Sequence, residues 1–158
     1  MRVAIVTVSD STSQGLHPDR SGPALRERSR QLGWQVASAL VVADETSVIQ
    51  ARLIELADSH LVDLILTTGG TGVGPRDITP ESTVAVCEKI IPGLGELMRE
   101  KGRQVTPRAA LSRAIAGVRG RVVIVNLPGS PKGAVESLNA VADLLPHAVE
   151  VLRGARHD

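Results

Sequence analysis

Three short stretches rich in β-branched and aliphatic residues, 2–8, 35–42 and 62–67, alternate with two segments of helical periodicity. That alternation restricts the possible fold more than anything else in the chain. Residues 20–32 place Ala24, Leu25, Arg28 and Leu32 at helical spacing and stop at Gly33. Residues 44–59 put Val48, Ile49, Leu53, Leu56 and Ala57 on one face. Strand, helix, strand, helix, strand predicts a mostly parallel sheet covered on both faces, an α/β fold of three layers. Further along, residues 80–90 and 94–102 read as helices separated by a break at Pro92-Gly93, and residues 107–111 as a short helix. Residues 114–118 and 122–125 flank Arg119-Gly120-Arg121, which predicts a short antiparallel hairpin in the C-terminal half. A long closing helix is expected over residues 131–152, disturbed at Pro146. Residues 9–18 read as a loop. With 158 residues and no repeat or linker, one domain spanning 1–158 is expected.

Composition narrows the function classes. The net charge is +1 and no basic block of five or more occurs, so nothing points to nucleic acid. No apolar run approaches the roughly 18 residues of a membrane span. The N-terminal MRVAIVTVSD is too short and too strand-like for a signal peptide. The single Cys87 allows no internal disulfide, which fits a reducing, cytoplasmic setting. Trp34 is the only aromatic residue of the Phe, Tyr, Trp class. A flat ligand must therefore be held by backbone, aliphatic and phosphate contacts.

In open α/β sheets ligands bind beyond the C-terminal strand ends. Ser9-Asp10, Asp44, residues 67–77 and residues 126–132 lie there. Residues 69–74 contain four glycines, Gly69, Gly70, Gly72 and Gly74. Bare backbone lets N–H groups approach an anion, although a tight turn has the same composition. The loop is neither a Walker loop nor a dinucleotide fingerprint, because Gly74 is followed by Pro75-Arg76. A second loop runs from Asn126 to Lys132. Its Ser130 is an expected N-cap and Pro131 the first helical residue, which leaves N–H groups for a phosphate.

Asp10, Asp44 and Asp77 are candidates to hold Mg²⁺ beside a polyphosphate. Asp44 and Asp10 have capping roles as alternatives. Asp77 has no evident structural task, since Thr79-Pro80-Glu81 already provides a cap, a first residue and a first-turn acid. Arg76 and Arg113 are either phosphate contacts or solvated charges. His17, His60, His147 and His157 show no ligand spacing, and Cys87 lies in an apolar helical stretch. The residues thus describe an α/β domain for a phosphorylated ligand with Mg²⁺, without naming the ligand.

Thr68-Gly69-Gly70-Thr71-Gly72 with Pro75-Arg76-Asp77-Ile78-Thr79-Pro80-Glu81 resembles the molybdopterin-binding family of MoaB and Mog proteins and the gephyrin G domain. Ile91-Pro92-Gly93-Leu94-Gly95-Glu96, Leu111-Ser112-Arg113-Ala114 and Asn126-Leu127-Pro128-Gly129-Ser130-Pro131 follow in the family's order, so the resemblance covers essentially the whole chain. It implies a molybdopterin adenylyltransferase that uses Mg-ATP, releases pyrophosphate, and hands adenylylated molybdopterin to a molybdate-inserting enzyme. It implies Asp44 and Asp77 as catalytic, Mg²⁺-holding acids. Thr68, Gly69, Gly70, Thr71 and Gly72 would cradle the pterin-side ligand. Asn126, Pro128, Gly129 and Ser130 would form the second binding loop, with Ser112 near the pterin. The family favours homotrimers, and the short length suggests a stand-alone protein. An inactive carrier of the same fold is the alternative, and molybdate insertion ranks below both. Many members have Ser-Asp-Arg after the first strand where this chain has Ser9-Asp10-Ser11, which leaves Arg20 or Arg76 to supply the missing cation.

Overall fold

The structure is a computed structural model and describes residues 1–156; His157 lies outside the described residues. β1 (Arg2–Val8), β2 (Gln35–Val42), β3 (Leu64–Thr68), β4 (Lys89–Ile90), β5 (Ala116–Arg119) and β6 (Val122–Leu127) form one sheet in the order β2-β1-β3-β6-β5-β4. The first four strands of that order are parallel, and β5 and β4 add an antiparallel edge. The α/β fold with its hairpin is therefore as expected. β1, β3 and β6 are buried almost throughout, because helices cover both sides of the sheet.

The strand pleat divides the core. Val3, Ile5, Leu64, Leu66, Val123 and Val125 point to one face. There they meet α2 (Ser21–Gln31), α5 (Pro92–Arg103), α6 (Pro131–Val141) and α7 (Leu145–Leu152) through Leu25, Leu94, Met98, Leu138 and Val149. Ala4, Val6, Ile65 and Ile124 point to the other face, against Ile49 and Leu53 of α3 (Thr46–Asp58) and Val86 of α4 (Thr79–Val86). The chain leaves β1 for α2 on the first face and β3 for α4 on the second. The adjacent ends of β1 and β3 are thus a topological switch point, where a crevice opens.

Four boundaries depart from the sequence reading. The predicted loop 9–18 contains a short helix, α1 (Asp10–Ser13), capped by Ser9, whose Oγ accepts from the Thr12 N–H at 3.2 Å. The predicted helix 80–90 stops at Val86, and residues 89–90 become β4. Pro92 disfavours helical backbone at Ile91, and the Ile91 N–H donates to the Ala116 carbonyl instead. Pro92 itself opens α5 rather than breaking a helix, since the first turn tolerates its missing N–H. The long closing helix is two helices, because Pro146 cannot donate to the carbonyl four residues back and its ring crowds that turn. Pro107–Leu111 is a 3₁₀ turn.

Candidate active site

The two loops expected to bind ligand leave the C-terminal ends of β3 and β6 and are joined to each other. The Gly69 N–H donates to the Leu127 carbonyl at 3.1 Å, and the Thr68 hydroxyl donates to the Pro128 carbonyl at 2.7 Å. Glycine is required at the seam. Gly69 has φ +102, and a Cβ there would lie 2.3 Å from the Val8 carbonyl oxygen; a Cβ on Gly129 would lie 3.3 Å from the Gly69 Cα. Gly70 has φ +67 and packs its bare Cα against the Thr79 hydroxyl and Asp44.

The rest of the glycine loop wraps an acid. The Gly74 N–H donates to Asp77 Oδ2 at 2.8 Å, and Cβ atoms on Gly72 or Gly74 would come within 2.8 and 2.9 Å of that oxygen. Asp77 therefore does have a structural bond, through one oxygen. Oδ1 accepts nothing among the described residues. Arg113 braces the same loop from outside: its Nε donates to the Gly72 carbonyl and its Nη2 to the Asp77 carbonyl, both at 2.7 Å, while Nη1 pairs with Glu81. The guanidinium is spent on the protein, which accounts for Arg113 without a phosphate. It also holds Glu81 below the ordinary carboxylate range.

Asp44 precedes α3, but its side chain does not cap that helix; the cap position is Glu45 and makes no side-chain capping bond. Instead Asp44 Oδ2 accepts from the Asp10 N–H at 2.8 Å and Asp10 Oδ1 accepts from the Asp44 N–H at 2.9 Å. Arg76 closes this reciprocal lock, its Nε donating to Asp10 Oδ2 at 2.6 Å and its Nη2 to the Asp44 carbonyl and Glu45. The hydrogen bond from Arg76 draws the Asp10 carboxyl below its usual range. Burial pushes Asp44 above it, and repulsion from Asp10 and Asp77 adds to that shift against the Asp10 N–H and Arg76. Arg76 is thus a clamp on the acids.

Two cavities open on either side of the seam. Thr68, Gly69, Gly70, Gly129, Asp44 and Asp77 border one of about 490 Å³ at the β1–β3 switch point. Thr71, Gly72, Ser112, Pro128 and Ser130 border one of about 280 Å³ beside α6 and the 3₁₀ turn. Ser130 is the N-cap of α6, its Oγ accepting from the Gly133 N–H at 3.1 Å, as expected. Lys132 points along α6 toward Glu136, 3.9 Å away, and borders neither cavity. Asn126 borders neither cavity. Its Nδ2 donates to Thr67 and Thr83, each at 3.0 Å, and its Oδ1 accepts from the Ile115 N–H. The side chain is fully buried and ties β6 to β3 and α4 rather than facing a ligand.

Thr79 is not the cap of α4; Ile78 holds that position, and the buried Thr79 hydroxyl has no hydrogen-bond partner among the described residues. The Asp10–Asp44 lock, the Arg113 brace and the approach of residues 17–21 to the larger cavity were not visible in the sequence. Each joins segments far apart in the chain; for the last of them the sequence offered the turn-forming Gly15 and Pro18 and Arg20 as a candidate cation.

A cavity bordered by two carboxylates, each with one unbonded oxygen, suits a hard divalent cation that shares its remaining positions with substrate phosphate. Among the described residues no cluster of three His, Cys, Asp or Glu side chains forms an all-protein metal cage. Residues 4–147 match the family described as "Probable molybdopterin binding domain". The chain belongs to this molybdopterin-binding family. It is 42% identical to the molybdopterin adenylyltransferase of Helicobacter pylori, over 98% of this chain and 89% of that one. It is 36% identical to the molybdopterin adenylyltransferase of Escherichia coli K12, over 98% and 86%. Its fold superimposes on the molybdopterin biosynthesis enzyme MoaB of Thermus thermophilus with a TM-score of 0.91 at 50% identity, covering 99% of each chain. No helix among the described residues is long and apolar enough to cross a membrane.

Proposed function

We propose that the chain adenylylates molybdopterin, transferring AMP from Mg-ATP to the terminal phosphate of molybdopterin and releasing pyrophosphate. The observation that supports this most is the pair of cavities meeting at one glycine seam, with the two half-bonded acids on one side only. Two anionic substrates must be brought together, and repulsion opposes it. Separate pockets with a shared floor of backbone fix their relative position before reaction.

On this reading the Ser112 cavity holds the pterin and the larger cavity holds the nucleotide. A pterin phosphate oxygen attacks the α-phosphorus, the new P–O bond forms, and the bond to the β-phosphate oxygen breaks with its electron pair leaving on pyrophosphate. Asp44 and Asp77 would hold Mg²⁺ through Oδ1, and the ion, when bound, neutralises charge on the phosphoryl oxygens. The Asp10–Arg76 lock keeps Asp44 oriented, and the Gly74 N–H keeps Asp77 oriented. Thr68, Gly69, Gly70 and Gly129 form the seam under the reacting phosphates. Thr71, Gly72, Pro128 and Ser130 border the pterin side. Asn126 positions the β6 loop from below. We further read the chain as one cytoplasmic domain that works as a homotrimer and passes its product to a molybdate-inserting enzyme.

The test is pyrophosphate release from Mg-ATP with and without molybdopterin, with the adenylylated product identified by mass. Pterin-dependent release is the expected result. Tight pterin binding with no release would make the protein a carrier of the same fold.

A further inference from the structure

Arg20 is the only arginine or lysine on the wall of the larger cavity among the described residues. Arg76, the other candidate to replace the cation missing at Ser11, is consumed by Asp10, Glu45 and the Asp44 carbonyl. Arg20 is exposed, and its guanidinium makes no hydrogen bond or ion pair among the described residues. Its neighbour Asp19 does not neutralise it. Asp19 turns inward, Oδ2 accepting from the Thr7 hydroxyl at 2.8 Å and Oδ1 from the Gly22 N–H at 3.0 Å.

Those two bonds pin the segment to β1. Gly22 makes the approach possible, since a Cβ there would lie 2.2 Å from Asp19 Oδ2 and 2.7 Å from the Thr7 hydroxyl. A built, glycine-dependent turn thus delivers one unspent guanidinium to the cavity rim, at the start of α2. Asp44 and Asp77 border the same cavity. A cavity that carries one free cation and two half-bonded acids suits a metal-bound polyphosphate better than a bare anion.

We propose that Arg20 binds the β- and γ-phosphates of the nucleotide, the part that departs as pyrophosphate. This rests on the adenylyl-transfer reading above. In an in-line displacement the attacking and leaving oxygens lie on opposite sides of the α-phosphorus. The attacking phosphate enters from the Ser112 side of the seam. Arg20 stands on the β1 side, where the leaving group is directed. As the α–β bond breaks, its electron pair stays on the pyrophosphate oxygen, and a planar guanidinium meets the growing charge with two parallel donors. No proton leaves Arg20.

The experiment is titration calorimetry of Mg-pyrophosphate, Mg-AMP and molybdopterin on the full chain, wild type against Arg20→Gln and Arg20→Lys. Arg20→Gln should weaken Mg-pyrophosphate by about tenfold or more, the worth of a charge-assisted pair. Mg-AMP and molybdopterin, which lack the β- and γ-phosphates, should keep their affinities within about twofold. In turnover, KM for Mg-ATP should rise in Arg20→Gln while KM for molybdopterin holds, and Arg20→Lys should recover part of the loss. Unchanged pyrophosphate affinity in Arg20→Gln, with an active wild type, overturns the assignment of Arg20 alone. A wild type that binds neither Mg-ATP nor Mg-pyrophosphate overturns the adenylyl-transfer reading beneath it.

Discussion

Gly70→Ala isolates what the glycine seam contributes. Gly70 has φ +67, where an L side chain costs about 1–2 kcal/mol. Its new Cβ would sit 2.3 Å from the Thr79 hydroxyl and 3.2 Å from Asp44 Oδ1. Thr79 is fully buried and β-branched, so it cannot swing away, and overpacking of this kind adds about 1–3 kcal/mol. Lower unfolded-state entropy returns less than about 1 kcal/mol. The single variant should therefore lose about 1–5 kcal/mol. Thr79→Ala alone should be near neutral: it removes a methyl worth about 0.8 kcal/mol and a buried hydroxyl that has no partner to lose. The double variant removes the atom in the way and keeps only the backbone cost. The urea midpoint at unchanged m-value reads all four corners of the cycle. The double variant should be more stable than additivity by about 1–3 kcal/mol. Strictly additive losses would refute the contact between Gly70 and Thr79 and with it the account of the seam.

Asp77→Ala should keep molybdopterin binding and lose adenylyl transfer; normal turnover, measured as pyrophosphate release, removes Asp77 from the reaction. Arg76→Met should free Asp10 and raise the Mg²⁺ concentration for half-maximal rate severalfold with little change in pterin affinity, read from Mg²⁺ titrations of the initial rate. Asp63 is buried between Arg2 and Arg153, whose hydrogen bonds outweigh its desolvation and hold its carboxyl far below the usual range. Its folded pKa is depressed, so its contribution is present above the unfolded value of about 3.9 and lost as pH falls below that. Asp63→Asn should flatten the acid limb of the stability profile and destabilise the fold at neutral pH, both measurable by denaturation across pH. Burial pushes the Cys87 thiol up to about 11, so a thiol reagent at pH 8 should label it slowly until the chain unfolds.

The fold was legible because β1, β3 and the two intervening helices carry their periods in adjacent residues. It departs from the sequence reading where a proline ends or opens a helix or a partner strand decides the outcome. Residues 89–90 carry no stronger strand signal than their helical neighbours, and only pairing with β5 makes them a strand. The loops were legible through their glycines, but the reason for the glycines was only half visible. Close approach to an anion was the expectation. The structure shows the bare backbone of Gly72 and Gly74 folded around the Asp77 carboxylate, and Gly69 pressed against the Val8 carbonyl. A carboxylate of the chain fills the role that a free anion was given.

Charge accounting separates residues that act from residues that hold. Arg76, Arg113, Asp10, Asp19 and Glu81 all lie near the cavities, and each spends its charge on another residue of the chain. Asp44 and Asp77 spend one oxygen each, and Arg20 spends nothing. A pair that satisfies itself gains little from a ligand and fixes backbone; an unbonded charge beside a cavity gains most when a ligand of opposite sign arrives. In the sequence Arg76 and Arg113 stay undecided between phosphate contacts and solvated charges, because residue type and position do not separate the two. Partnering distinguishes them. The same criterion places Arg20, in a segment with no glycine-loop signature, among the residues that should meet substrate.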